Sequence, residues 1–238
     1  MRYARAAALR HLHAAVADPG LRAKLTPDYE IGCKRILLSD DYYPALVQPN
    51  VEVVTDPIAG VRERVVVTAD GRERAVDTII YGTGFRVTDN PAYGLVVGRG
   101  GRRLSDALGD SPRAHLGTTV AGFPNLFLLQ GPNTGLGHSS VVLMIEHQIA
   151  HVLAAVRYMR RHAVAVIEPT PEAQARFVAE VDAGMRGTVW TAGGCVSWYL
   201  DKTGRNSTLW PGSVPAFGRR VARFRPAEYH LDPAGGRP

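Results

Sequence analysis

Apolar residues in the first seventeen positions recur at helical spacing: Ala7, Leu9, Leu12, Ala15 and Val16. This predicts a helix over residues 3–17, stopped by Asp18-Pro19-Gly20, and a short helical turn over 21–25. Ile36-Leu37-Leu38 is a continuous apolar run, as in a short buried strand, and residues 51–54 read as another. Between them, residues 40–46 read as a capped helical turn. A hairpin follows: residues 64–68 run up, Asp70-Gly71 turns the chain, and residues 74–80 run back. The returning arm enters Gly82-Thr83-Gly84-Phe85, as a buried strand whose end faces a ligand would. Residues 86–118 are loop-rich, and residues 125–129 form a second apolar strand. That strand runs into Gly131-Pro132-Asn133-Thr134-Gly135-Leu136-Gly137-His138-Ser139-Ser140. A long helix over about 139–162 comes next, with an apolar stripe of Val142, Ile145, Ile149, Val152, Leu153 and Val156. Thr170-Pro171-Glu172 opens a helix running to about residue 186, and the remainder reads as irregular.

Composition narrows the class. With 45% hydrophobic and 21% charged residues, wholesale disorder is excluded. No run approaches the ~20 apolar residues that span a bilayer, and the Ala-rich start is broken by Arg10, His11 and His13. The expectation is a cytoplasmic protein without a membrane partner. The net charge is +6, and all but Lys24, Lys34 and Lys202 of the 28 basic residues are arginine. These arginines are scattered and do not alternate with aromatics, so the pattern does not point to nucleic acid. The two cysteines, Cys33 and Cys195, are far apart, which excludes a disulfide scaffold and a four-cysteine zinc site.

The strand, glycine loop and helix at 125–162 are the strongest chemical feature. A glycine loop lets backbone approach a ligand, and the helix start beyond it presents free N–H groups and partial positive charge. Ser139 and Ser140 are placed to cap that end. The site suits an anionic or electron-rich group; the alternative is a plain helix cap with flexible entry. Gly82-Thr83-Gly84 is not a dinucleotide fingerprint, and no complete G-x-G-x-x-G precedes a helix in the chain. Lys34-Arg35 is either a pair of solvated cations or a guanidinium that stabilises developing negative charge. His138 is either a general acid–base or a surface group. The His147/His151 pair has metal-ligand spacing but no third ligand nearby, which favours a helix-surface reading, with Glu146 toward solvent or a capping partner. Ser139 is not in G-x-S-x-G, so a hydrolase elbow is not supported.

Several motifs nevertheless coincide in order. They are the 24–29 segment Lys-Leu-Thr-Pro-Asp-Tyr, Gly32-Cys33-Lys34-Arg35, Asp77 through Phe85, and Gly122-Phe123-Pro124-Asn125-Leu126-Phe127. The Gly131 to Ser140 loop, Ser197-Trp198-Tyr199 and Gly204-Arg205-Asn206 complete the series. Together they make the chain closely resemble the C-terminal portion of flavin-dependent Baeyer–Villiger monooxygenases of the hydroxyacetophenone and cyclohexanone monooxygenase group.

The resemblance implies FAD and NADPH held in two Rossmann-like domains. NADPH reduces FAD, O2 adds to give a C4a-peroxyflavin, and the peroxide attacks a ketone to give an ester or lactone. Relatives oxygenate a sulfide or an amine instead. By this likeness Arg35 matches the active-site arginine that stabilises anionic oxygen, and a permanent cation suits that task. Lys34 matches its neighbour on the NADP(H) side. Ser139, Ser140, Val141 and Val142 would meet the flavin ring, with Val141 also toward substrate. Gly131, Pro132 and Asn133 lead into that contact. Thr83, Gly84 and Phe85 mark the return into the FAD domain, and Trp198 matches the loop tryptophan that closes over nicotinamide. The implied fold is α/β, an incomplete parallel sheet plus a long helix. Residues 1–30 would end a helical insertion, 31–80 complete the NADPH domain, and 81–238 complete the FAD domain. Family members run to about twice this length, and their first half carries the two glycine fingerprints and the F-x-G-x-x-x-H-x-x-x-W-[PD] signature, none of which is in this chain. The chain then supplies half of an active site and needs an N-terminal half. The alternatives are a non-catalytic interaction module and a nucleotide binder that works without FAD.

Overall fold

The computed structural model describes residues 2–84 and 90–235; Phe85, singled out in the glycine turn, lies outside them. The chain is α/β and divides into two compact units, Met1–Ile31 with Ile36–Phe85, and Gly32–Arg35 with Arg86–Pro238.

In the first unit, α1 (Arg2–Ala15) buries Leu12 on one side. Asp18 then serves as N-cap of α2 (Pro19–Leu25), its Oδ1 accepting from the Leu21 N–H at 2.6 Å. The stop signal of the first helix is thus the start signal of the second. After α3 (Tyr42–Leu46), three strands make an antiparallel sheet: β1 (Ile58–Arg62), β2 (Val65–Thr68) and β3 (Glu73–Ala75), in that order. The expected hairpin is β2–β3, in register Val65 with Ala75, Val66 with Arg74 and Val67 with Glu73. Its turn uses Gly71 at φ 81°, a conformation that favours glycine. β1 escaped the sequence reading, because Gly60 and the flanking Pro57 weaken its strand pattern.

In the second unit, α4 (Leu104–Leu108) buries Leu104 and Leu108 against Val120 and Phe123 inside the region read as loop. The two predicted helices stand. α5 is Val141–Arg161, and α6 is Pro171–Met185, capped by Thr170, whose Oγ1 accepts from the Ala173 N–H at 3.1 Å. Between them lies β4 (Val164–Pro169), and α7 (Val189–Ala192) follows α6. α8 (Val214–Val221) buries Val214, Phe217 and Val221, and β5 (Tyr229–Pro233) pairs antiparallel with β4. The main core joins Met144 of α5, Phe177 and Val181 of α6, and Phe217 and Val221 of α8, with Trp210 beside them.

One expectation needs correction in detail. The strands that pair, among the described residues, are all antiparallel. The apolar segments 36–38, 51–54, 78–81 and 125–128 form no sheet ladder. Several of their side chains are open to solvent: Leu37 at 82%, Leu38 at 95% and Ile80 at 91%. Among the described residues, no helix is long and apolar enough to cross a membrane.

Candidate functional site

A cleft of about 220 Å³ opens in the second unit. Arg35, Gly131, Pro132, Val141 and Trp198 line it, five residues singled out from sequence and drawn from four separate stretches of chain. Tyr93, Gln130 and Leu136 add to its walls.

Each lining residue is placed by identifiable contacts. Gln130 and Asn133 both take left-handed backbone, at φ 57° and 59°, which costs a non-glycine residue about 1 kcal/mol. Both are held there. The Gln130 N–H donates to Gln148 Oε1 at 3.0 Å, and the Asn133 N–H donates to the Ser207 carbonyl at 2.8 Å. The loop glycines serve packing rather than ligand approach. A Cβ on Gly131 would run into the Gly117 carbonyl, one on Gly135 would sit 2.9 Å from the Thr208 carbonyl oxygen, and one on Gly137 3.0 Å from Trp190 Nε1. The loop is glycine-rich because three other segments press against it. Trp198 is 47% exposed and leans on Tyr199, with ring centroids 4.5 Å apart. Tyr199 is buried against Met185 and Leu209 and so anchors its neighbour. Burial pushes the Tyr199 hydroxyl pKa up, opposed by the positive charge of Arg35. Arg35 itself is exposed, with Cys33 two residues before it disulfide-bonded to Cys195, Cα to Cα 6.1 Å. The cysteines read as distant are therefore a pair.

Val141 is the first residue of α5, and Ser140 sits at its N-cap with extended backbone. Ser140 makes no capping hydrogen bond, contrary to the expected role, and Ser139 Oγ instead meets His138 Nδ1 at 3.0 Å. The first-turn N–H groups of α5 thus have no side-chain cap. Arg35, that open helix start and the apolar walls together make a place for an anionic or electron-rich ring edge. The volume fits a ring and not a whole dinucleotide.

Other singled-out residues fall elsewhere. Lys34 is exposed beside Arg35, and Val142 points outward at 61% exposure. Thr83 and Gly84 are exposed and belong to the first unit. The Asn133 amide is engaged inside the protein: Nδ2 donates to the Asn206 and Leu209 carbonyls, and Oδ1 accepts from Arg205 Nη2 at 2.9 Å. His138 stacks over Trp190 at 6.3 Å and does not line the cleft. The surface reading of His151 is wrong. It is 1% exposed, its Nδ1 donates to the Val221 carbonyl at 2.8 Å, and its Nε2 lies 3.3 Å from the Tyr229 hydroxyl. His147 packs its ring against Gly218 of α8, while Glu146 is exposed as expected. Among the described residues no three His, Cys, Asp or Glu side chains are grouped to hold a metal.

Arg205 is the main residue whose structural role sequence reasoning missed. It donates from Nε to Asp182 at 2.8 Å, from Nη1 to the Pro112 carbonyl at 2.9 Å and from Nη2 to Asn133, tying three segments behind the cleft. Its only signal was its place in a Gly-Arg-Asn motif.

Comparison with known proteins gives the frame for this arrangement. The chain is 50% identical over 225 residues to a Baeyer–Villiger monooxygenase of Pseudomonas aeruginosa, covering 94% of this chain and 43% of that protein. The chain is similar to the C-terminal part of Baeyer–Villiger monooxygenases. Among solved structures, a steroid monooxygenase bound to NADP superimposes with a TM-score of 0.82 at 32% identity, covering 98% of this chain and 45% of that one. OTEMO in complex with FAD and NADP gives a TM-score of 0.83 at 28% identity, covering 97% of this chain and 44% of that one. The chain thus spans less than half the length of the relatives it matches. No family model matches it.

Proposed function

We propose that this chain forms the C-terminal half of the active site of an FAD- and NADPH-dependent monooxygenase that inserts oxygen into a ketone. The observation that carries the reading is the cleft. Arg35, Trp198 and the uncapped start of α5 converge there, in a chain half identical to a Baeyer–Villiger monooxygenase. The residues fit the ring end of a flavin: an anion-stabilising guanidinium, an open helix start and the apolar side chains of Val141 and Leu136. They do not supply a diphosphate cradle, since the chain has no G-x-G-x-x-G before a helix.

Bound FAD, reduced by NADPH, supplies the two electrons that activate O2. The residues of this chain do the rest of the work assigned here. Arg35 stabilises negative oxygen as the ketone is attacked. Val141 and Leu136 form the dry wall against which the substrate lies. Trp198 covers the nicotinamide side and excludes water, and Lys34 lies on the NADP(H) side. Gly131, Pro132, Ser139 and Ser140 line the approach to the flavin, and Thr83 and Gly84 lead the chain back into the FAD domain. In this reading residues 1–30 end a helical insertion, 31–80 complete the NADPH domain and 81–238 complete the FAD domain. The exposed apolar side of α5 and the unpaired segments take the N-terminal half.

The test is a chimera in which this chain replaces the matching C-terminal part of the Pseudomonas aeruginosa relative. It should bind FAD, oxidise NADPH and convert a ketone to an ester. Arg35→Ala in that chimera should lower oxygen insertion at least 100-fold, about 3 kcal/mol of barrier, while flavin reduction stays within a few-fold. Ester formation retained in Arg35→Ala would remove Arg35 from this role.

A further inference from the structure

We propose that Cys33–Cys195 is a thiol–disulfide exchange site for a dithiol reductant, and that its state decides whether Arg35 and Trp198 are held at the cleft. The bond sits between the two side chains that matter most there. Cys33 precedes Arg35 by two residues and Cys195 precedes Trp198 by three. At roughly 3.5 Å of reach per residue, the bond tethers the Arg35 Cα within about 7 Å of one bridgehead and the Trp198 Cα within about 10 Å of the other.

Beyond the anchoring of Trp198 by its neighbour Tyr199, the loop after Cys195 has little backbone support. Among the described residues, no backbone N–H from Gly194 to Trp198 makes a hydrogen bond, and Val196 is 91% exposed. Gly32–Arg35 is grouped with the second unit although the chain on both sides of it is grouped with the first. The disulfide is the covalent attachment of that four-residue stretch to the second unit. The packing is built around it: a Cβ on Gly193 would sit 2.9 Å from both the Cβ and Sγ of Cys33. Access is one-sided. Cys33 is 1% exposed and Cys195 is half-buried, so Cys195 is the more open of the two to a reductant.

Exchange balances as follows. One thiolate of the dithiol attacks the Cys195 sulfur, forming a mixed disulfide, and Cys33 leaves as thiolate and takes a proton. The second thiolate of the dithiol then closes on its partner and releases Cys195, which is protonated in turn. Two electrons pass to the protein and the dithiol becomes a cyclic disulfide. Reduction frees the Arg35 stretch and the Trp198 loop without touching the core of α5, α6 and α8. The consequence for oxygenation rests on the role proposed for Arg35; the exchange site does not, and either can fail alone.

The experiment equilibrates the 238-residue chain in graded mixtures of reduced and oxidised dithiothreitol. Free thiols are counted by alkylation and mass spectrometry, and amide hydrogen exchange is followed in the same samples. The expected result is no free thiol in the oxidised mixture and joint appearance of both at one midpoint. Exchange in residues 31–36 and 194–199 should rise at least tenfold at that midpoint, with α6 unchanged. The Cys33→Ser/Cys195→Ser chain should show the reduced pattern throughout. Thiols that stay free in the oxidised mixture would overturn the proposal. So would bond breakage that leaves exchange in both segments unchanged, or that raises exchange in α6 equally, since the bond would then support the whole unit.

Discussion

The two faces of α5 make opposite use of their residues. The buried face is Met144, Gln148, His151 and Ala155, and half of it is polar. The other face carries Val142, Ile149, Leu153 and Val156, all apolar and 39–61% exposed. Four of the six residues of the hydrophobic stripe read from sequence therefore face out of this chain, while Ile145 and Val152 are half-buried. Burial in this chain goes to the side whose polar groups are all matched. Gln148 Nε2 donates to the Gly117 carbonyl and Thr118 Oγ1, each at 3.0 Å, and its Oε1 takes the Gln130 N–H. His151 must carry its proton on Nδ1, because its partner there is the Val221 carbonyl, which only accepts. A polar group inside is stable when every lone pair and proton has a partner. An apolar stripe outside has no such local reason, and under the proposed function it is the side that takes the N-terminal half.

The sharpest way to break this contrast is Gln148→Leu. It leaves the Gln130 N–H and the Gly117 carbonyl without their buried partner, and should cost about 3 kcal/mol in urea unfolding despite the more apolar side chain. His151→Phe should cost about 2 kcal/mol at pH 7 and also flatten the acid limb of stability. The sign follows from burial. His151 is held below the usual histidine pKa chiefly by burial, against the pull of the Val221 carbonyl. His115, also buried, is pushed down to about 4, with Glu228 pulling the other way. The unfolded chain takes up protons near pH 6.5 while these rings stay neutral in the fold, so stability should fall as pH drops from 6.5 toward 4. The smallest effect should come from the outward face. Leu153→Lys should change unfolding by no more than about 0.5 kcal/mol in this chain while reducing self-association in sedimentation. The same substitution in the chimera should weaken assembly.

Local signals explain what was legible. α5 and α6 show clear periodicity, and α6 has a Thr-Pro cap, so both were read within two residues of their ends. α8 hides a core face of Val214, Phe217 and Val221 behind Pro215 and Gly218. The glycine is there because the His147 ring occupies the space of a Cβ, a tertiary fact with no local trace. The polar pinning of Gln130, Asn133 and Arg205 is likewise invisible along the chain, as is a disulfide spanning 162 residues. Of the candidate site, Arg35 read from its neighbours alone is a solvated cation; only its resemblance to a family motif raised it above that. The apolar runs at 36–38, 51–54 and 125–129, read as strands, form no ladder, and 36–38 is exposed rather than buried, because neither a ladder partner nor a covering face is encoded in the run itself.

The most direct test of the account is a titration of the 238-residue chain with FAD, followed by flavin fluorescence. The ring-sized cleft and the lack of a diphosphate fingerprint predict no saturable binding at micromolar FAD, with one FAD per molecule restored in the chimera. One FAD bound tightly per 238-residue chain would contradict the claim that this chain holds only half of the site.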